Sequence, residues 1–204
     1  MNKKYIMLGN GGHADGCRDI AKKGGYIEIG YVLGVKESVT TELDKSFLGN
    51  DEWLYKENGE KPFLINGIGA NPKSKVRSNI FNKYSSLGFK FLTLIHPSSV
   101  VSENVIFGDG VQVMAGAIIQ PNCLIKSNSI INTSASLDHD CKIGEGVHIA
   151  PGAVLCGNVV VSDGGFVGAS SCIIPNITIG KSAVIGAGVT VKENIEKDLT
   201  YVGK

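Results

Sequence analysis

The sequence predicts two architectures in tandem: a small parallel α/β domain, then a triangular parallel β-helix. Three observations carry this. Strand-like and helix-like runs alternate as far as His96-Pro97. Between Val101 and Val191 a large apolar residue recurs every six positions. Glycine, at 27 of 204 residues, is about twice its usual share, while aromatics stay at 7%.

In the first regime, residues 5–8 form a short apolar run bounded by Gly9 and read as a buried strand. Residues 14–23 read as a helix ended by Gly24-Gly25, and residues 27–33 as a second strand. Residues 34–61 are polar and irregular, with one helical turn around 51–55. Residues 63–68 read as a third strand. Asn71-Pro72 opens a helix reaching Ser86, with Val76, Ile80 and Tyr84 at helical spacing, and residues 89–95 read as a fourth strand. Strand–helix alternation of this kind builds a parallel sheet. The domain boundary is expected between residues 96 and 97.

In the second regime the series is Val101, Phe107, Val113, Ile119, Ile125, Ile131, Leu137, Ile143, Ile149, Leu155, Val161, Val167, Ile173, Ile179, Ile185, Val191, sixteen hits without a gap. A random sequence offers a large apolar residue at roughly a third of positions, so chance does not produce this run. Six residues make one short strand and a corner. Three such faces close a coil of eighteen residues, and coils stack at the strand spacing of roughly 4.8 Å. Sixteen hexads give about five coils. Small residues such as Ala117, Cys123, Ser129 and Ala135 precede the large ones, and Gly, Asn, Asp or Ser mark the corners. Residues 192–204 fall off the repeat and are expected to form a polar tail.

Lys plus Arg (20) and Asp plus Glu (19) nearly balance, which disfavours a nucleic-acid or anionic-membrane partner. The five cysteines, Cys17, Cys123, Cys141, Cys156 and Cys172, include no C-x-x-C pair and fit a reducing, cytoplasmic setting. Cys123 and Cys141 are eighteen residues apart and should stack as small inward residues. The apolar run near the N-terminus is too short for a signal peptide or a membrane span.

Three constellations bear on chemistry. Gly9-Asn10-Gly11-Gly12-His13-Ala14 lies between a strand and a helix and fits G-x-G-x-x-A, a turn whose N–H groups cradle phosphate. A dinucleotide site also wants an acidic residue ending the second strand; Leu33-Gly34 stands there, and Glu37 comes late. Gly67-Ile68-Gly69-Ala70-Asn71 places small residues after the third strand, again at the ligand edge of a parallel sheet. Arg77 beyond it reads as a solvated side chain, with phosphate binding as the alternative. The third constellation is Asp138-His139-Asp140, with His148 nine residues on. A carboxylate accepting from one imidazole nitrogen fixes the tautomer and leaves the other as a base. Asp140 is the first choice for that partner and Asp138 the second. His96, His139 and His148 lack the closely spaced pair of a zinc set.

Nine residues is half a coil, so His139 and His148 should lie on opposite sides of one prism. If both serve one site, that site lies between subunits, and the protein is an oligomer.

The hexads, the G-x-G-G-H-A turn, His96-Pro97-Ser98 and the segment Asn132-Thr133-Ser134-Ala135-Ser136-Leu137-Asp138-His139-Asp140-Cys141 with Gly144 resemble the bacterial sugar O- and N-acyltransferases. That group includes N-acetyltransferases of nucleotide-linked 4-amino-sugars and O-acetyltransferases linked to sialic acid synthesis. The resemblance spans nearly the whole chain. It implies a Rossmann-like domain followed by a left-handed β-helix, a homotrimer, and acetyl-CoA as co-substrate in the groove between adjacent β-helices, without a metal. It implies His139 as the catalytic base with Asp140 as its partner, and places His148, Asn132 and the Gly157 backbone near acetyl-CoA. The sugar-nucleotide pocket would comprise Gly11, Gly12, His13, Gly69, Ala70 and Asn71. Two departures stand out: Leu33-Gly34 replaces an acidic pair common in the group, and Tyr201-Val202-Gly203-Lys204 replaces a G-V-P-A-K-like ending. The implied function is N-acetylation of a nucleotide-linked amino-sugar, a glycan precursor. O-acetylation of a sialic-acid-like sugar, a nucleotide-binding oxidoreductase and a purely structural β-helix are the alternatives.

Overall fold

The computed structural model describes residues 3–34, 46–56 and 61–203. They fall into two compact units, one drawn from the chain up to Gly69 plus Val76–Leu92, the other from Ala70–Lys75 plus the chain from Thr93 onward.

The first unit holds β1 (Lys4–Leu8), α1 (Gly12–Lys23), β2 (Ile27–Leu33), β3 (Phe47–Asn50), α2 (Trp53–Lys56), β4 (Phe63–Asn66) and α3 (Val76–Ser86). The strands form one parallel sheet in the order β3-β2-β1-β4. Central β1 is buried from Tyr5 to Leu8, which is why it reads as an unbroken apolar run rather than an alternating one. Helix α1 buries Ala14, Cys17, Ile20 and Ala21 along one stripe. Ring pairs such as Phe81–Phe91 (4.7 Å) and Tyr84–Phe89 (5.7 Å) fill much of the core.

Several expectations need correction here. β3 lies in a stretch read as irregular; Phe47 packs its ring against Tyr31 at 5.4 Å, a contact with no local signature. The expected fourth strand divides: Phe91 bridges Leu64, whereas Leu94–Ile95 pairs with Gln112–Val113 in the second unit. Helix α3 starts late because Asn71 closes a turn, its side-chain Oδ1 accepting from the Lys73 N–H and its C=O from the Ser74 N–H. Its buried stripe is Arg77, Phe81 and Tyr84: Tyr84 is as expected, while Arg77 and Phe81 take the places expected of Val76 and Ile80.

The second unit is a parallel β-solenoid of three faces with seven, six and five strands. The first face runs from Leu94–Ile95 to Thr200–Tyr201, the second from Val100–Val101 to Thr190–Val191, and the third from Ile106–Phe107 to Thr178–Ile179. Partners are offset by eighteen residues, as in Ile131↔Ile149 and Leu137↔Leu155. The inward columns are almost fully buried: Val113, Ile131, Ile149, Val167 and Ile185 on the first face, Leu137, Leu155 and Ile173 on the second, Ile125, Ile143 and Val161 on the third. Each such burial is worth about 1.5–3 kcal/mol, and stacking alone supplies it.

The five coils expected from the hexads match the shortest face; extra strands at both ends lengthen the others. The C-terminal segment is a correction. It is not a polar tail, because Ile195 is buried and bridges Ile179, and Thr200–Tyr201 pairs with Val184–Ile185. The last coil has an offset of sixteen rather than eighteen residues, which breaks the period without leaving the coil. Among the described residues no helix is long and apolar enough to cross a membrane.

Candidate active site

Every sixth residue from Gly110 to Gly188 adopts a left-handed backbone, with φ between 55° and 69°. These are the corners, and they are occupied only by Gly, Asn, Ser or Asp, the small residues that tolerate or are least penalised in that region. Asp140, at φ 61°, is one of them. The corner that closes the second face onto the third therefore carries a carboxylate, directly after His139.

The pair is formed in the structure. His139 Nδ1 lies 2.7 Å from Asp140 Oδ2. Asp138, the second candidate partner, does something else: its Oδ1 accepts from the His139 backbone N–H at 2.8 Å and fixes the main chain. The hydrogen bond from Asp140, then the charge of Asp138, raise the His139 pKa above the ordinary histidine value. The same bond, together with one from Asn122, holds the Asp140 carboxyl below its usual range. With Nδ1–H donated to Asp140, Nε2 carries the lone pair, on a side chain that is 58% exposed.

Gly157, one coil on, lies against that ring. A Cβ there would stand 2.7 Å from both Cε1 and Nε2 of His139. Its φ is not left-handed, so what a side chain there would disturb is the position of the imidazole, not the backbone of Gly157. The structure thus brings together His139, Asp140 and Gly157.

It does not bring Asn132 and His148 to them. Asn132 sits at the corner between the first and second faces, where its Oδ1 accepts from the Thr133 N–H at 2.8 Å. At the strand rise per residue, successive corners are roughly 15–20 Å apart. His148 lies on the first face, across the prism from the His139 corner. Its ring is 7% exposed and stacks on Phe166, centroids 4.9 Å apart and 7° from parallel. The half-coil separation read from the spacing is the one observed. Beneath the corner, Cys123 and Cys141 are buried free thiols that donate to the carbonyls of Asp138 (3.1 Å) and Cys156 (3.3 Å).

In the first unit, Gly11 caps α1 through its extended backbone, Gly12 is the first helical residue and His13 follows. A Cβ on Gly11 or Gly12 would meet no protein atom within 4 Å, and neither has positive φ. Neither packing nor backbone demands glycine here, so the open space they leave is available to a ligand. Gly9 differs: φ is 91°, and a Cβ would collide with Ile68 Cδ1 at 2.7 Å. Gly69 lies beside His13, its would-be Cβ 3.5 Å from that of His13. Ala70 and Asn71 belong to the turn of the other unit. Arg77 is a correction: it is 6% exposed, not solvated, and its Nη1 donates to the carbonyls of Asn66 (3.1 Å) and Ile68 (2.7 Å). Burial pushes its pKa down to about 10. Glu37 lies outside the described residues; Leu33 ends β2 without an acidic neighbour there.

A coil of hexads with a histidine–carboxylate pair at one corner defines a class, and comparison agrees. Residues 122–157 match the bacterial transferase hexapeptide family (six repeats). The acetyltransferase domain of PglB from Neisseria gonorrhoeae FA1090, solved in complex with acetyl coenzyme A, is 30% identical, with 100% of this chain and 97% of that one covered at a TM-score of 0.86. PerB from Caulobacter crescentus, in complex with CoA and GDP-perosamine, is 31% identical over 96% of this chain and 91% of that one, at 0.84. The chain belongs to the hexapeptide-repeat transferase family. Among curated proteins, UDP-N-acetylbacillosamine N-acetyltransferase of Bacillus subtilis (strain 168) is 34% identical over 55% of this chain and 52% of its own length. The chain spans about half the length, or less, of the curated relatives it matches.

Proposed function

We propose that this protein is an acetyl-CoA-dependent N-acetyltransferase acting on the amino group of a nucleotide-linked 4-amino-sugar. The observation that carries this is the His139–Asp140 pair, with Nε2 free beside a glycine on the next coil. The likeness to PglB with acetyl coenzyme A and PerB with CoA and GDP-perosamine supports both substrates. With no side chain at Gly157, the imidazole lies against the backbone of the next coil with Nε2 beside it. Acetyl-CoA would supply the carbonyl and, on losing CoA thiolate, the acetyl group. His139 Nε2 accepts a proton from the attacking nitrogen as the C–N bond forms. As the C–S bond breaks, the imidazolium returns a proton to the sulfur. Asp140 holds the tautomer and stabilises the imidazolium.

On this reading the active form is a homotrimer of left-handed coils. The outward column of the second face carries exposed Val100 (64%), Ile118 (38%) and Val154 (40%), with Ser136 between the last two. Turning that face to a three-fold axis sets the His139 corner of one subunit against the Asn132 corner of the next, and His148 follows on that neighbour's first face. The first unit serves as a Rossmann-like sugar-nucleotide domain, with Gly11, Gly12, His13 and Gly69 at the phosphates, in a cytoplasmic enzyme of glycan precursor synthesis.

Incubation with acetyl-CoA and UDP-, dTDP-, GDP- or CMP-linked amino-sugars, followed by mass spectrometry, should reveal one acceptor gaining one acetyl mass. His139→Ala should lower that turnover about 10²–10⁴-fold while leaving acetyl-CoA affinity nearly intact. Undiminished turnover in that variant would overturn the role of His139.

A further inference from the structure

The corner that carries Asp140 belongs to a column running along the solenoid. Asn104, Asn122, Asp140, Asn158 and Asn176 occupy the same corner of five successive coils, eighteen residues apart. Within it the side chains hydrogen-bond in a directed order. Asn104 donates through Nδ2 to Asn122 Oδ1 and accepts from the Asn122 backbone N–H at 3.4 Å. Asn122 donates through Nδ2 to Asp140 Oδ1 at 3.1 Å, and Asp140 Oδ2 meets His139 Nδ1 at 2.7 Å. On the far side, Asn158 donates onward to Asn176 at 2.9 Å.

We propose that Asn122 is a positioning residue for the reaction at His139. It holds one oxygen of Asp140 so that the other stays on the imidazole, and Asn104 sets which way the Asn122 amide faces. The proposal rests on His139 being the base, as argued above.

The physical case is one of orientation. The Asp140 side chain is 48% exposed, so water competes for both oxygens and the carboxylate is free to turn about its last torsion. Two anchors on two oxygens define its plane. An ionised carboxylate only accepts, so Asn122 must present its NH₂ and not its oxygen. Asn104 occupies that oxygen, which removes the flipped alternative. Aligned amide donors ending on a carboxylate also polarise one another in the same sense. The charged and titratable groups acting on the imidazole are Asp140, Asp138 and the Cys123 thiol of the preceding coil, with Lys142 of the following strand acting on Asp140; Gly157 brings none.

Asn122→Gly tests this cleanly, since glycine occupies the equivalent position at the other two corners, Gly110, Gly116, Gly146 and Gly152, with the same left-handed backbone. In the full chain, NMR titration of the His139 ring should show its pKa falling toward the ordinary value. With the acceptor identified by mass spectrometry, kcat should fall about tenfold, KM for both substrates should hold, and the acid limb of the kcat–pH profile should move to lower pH. Asn176→Gly, in the same column but away from Asp140, should do none of this. In an Asp140→Gly background the Asn122→Gly change should add nothing. An unmoved His139 titration and an unmoved pH profile in Asn122→Gly, with Asp140→Gly still impaired, would overturn the positioning role alone. Full turnover in Asp140→Gly would instead overturn the reading of His139–Asp140 as the catalytic pair.

Discussion

The two units solve the same problem, burying apolar surface, in opposite ways. In the N-terminal unit a four-stranded parallel sheet packs against helices, and aromatic rings from distant positions meet, as Phe81 with Phe91 and Tyr31 with Phe47. In the solenoid the buried columns are aliphatic, each residue contacting its counterparts eighteen positions away. The sheet derives specificity from non-local fit. The solenoid derives it from repetition, and the proposed site stands at a break in that repetition, a carboxylate in a column of amides. In the sheet no such background exists, and a candidate ligand-binding glycine is distinguished only by what its missing side chain would have touched.

The contrast can be broken or sharpened by experiment. The largest effect is expected at the solenoid's corner: Asp140→Asn should lower turnover about 10²-fold with little change in thermal stability. Because the Asp140 bond is the first cause of the raised His139 pKa, its loss lets that pKa fall. His139 must be neutral to act, so activity rises with pH through its pKa, and the acid limb should move to lower pH in the variant. A limb that stays put would mean Asp140 is only a corner residue. Next, Leu137→Ala, in a fully buried column, should cost about 2–5 kcal/mol in chemical denaturation. A loss under ~1 kcal/mol would mean that the layers are not closely packed. The smallest effect is expected in the sheet unit. Gly12→Ala meets open space, so stability should hold or rise by about 0.4–1 kcal/mol, while KM for the nucleotide-sugar rises severalfold with KM for acetyl-CoA unchanged. A drop in stability there would make Gly12 a packing glycine after all.

The same contrast explains what the sequence revealed. The period places every inward residue from Val113 to Val191, and the adjacency of His139 and Asp140 suffices to predict their bond. It does not reach the end of the coil, because Val191 to Ile195 is four residues rather than six, and a shortened corner looks like a tail. The Asn104–Asn122–Asp140 column stands in the sequence as an eighteen-residue recurrence, but asparagine at a left-handed corner such as Asn122 already has a backbone reason to be there. Gly157 looked like any of 27 glycines; only the imidazole lying across it sets it apart. In the sheet unit, β3 and the phase of α3 depend on Tyr31 and on the buried Arg77, and neither contact leaves a local pattern.

The corners also give the solenoid an angular arithmetic. Residue number modulo eighteen acts as a compass bearing around the axis, and the quotient acts as height. Removing one hexad between His139 and Gly157 would swing everything after it by a third of a turn and carry Gly157 away from His139. Removing or adding a whole coil near Ile185 would change only the length of the rod, by roughly 4.8 Å, and leave every bearing intact. A chain built this way can lengthen or shorten in units of eighteen while its His139 corner keeps the same heading.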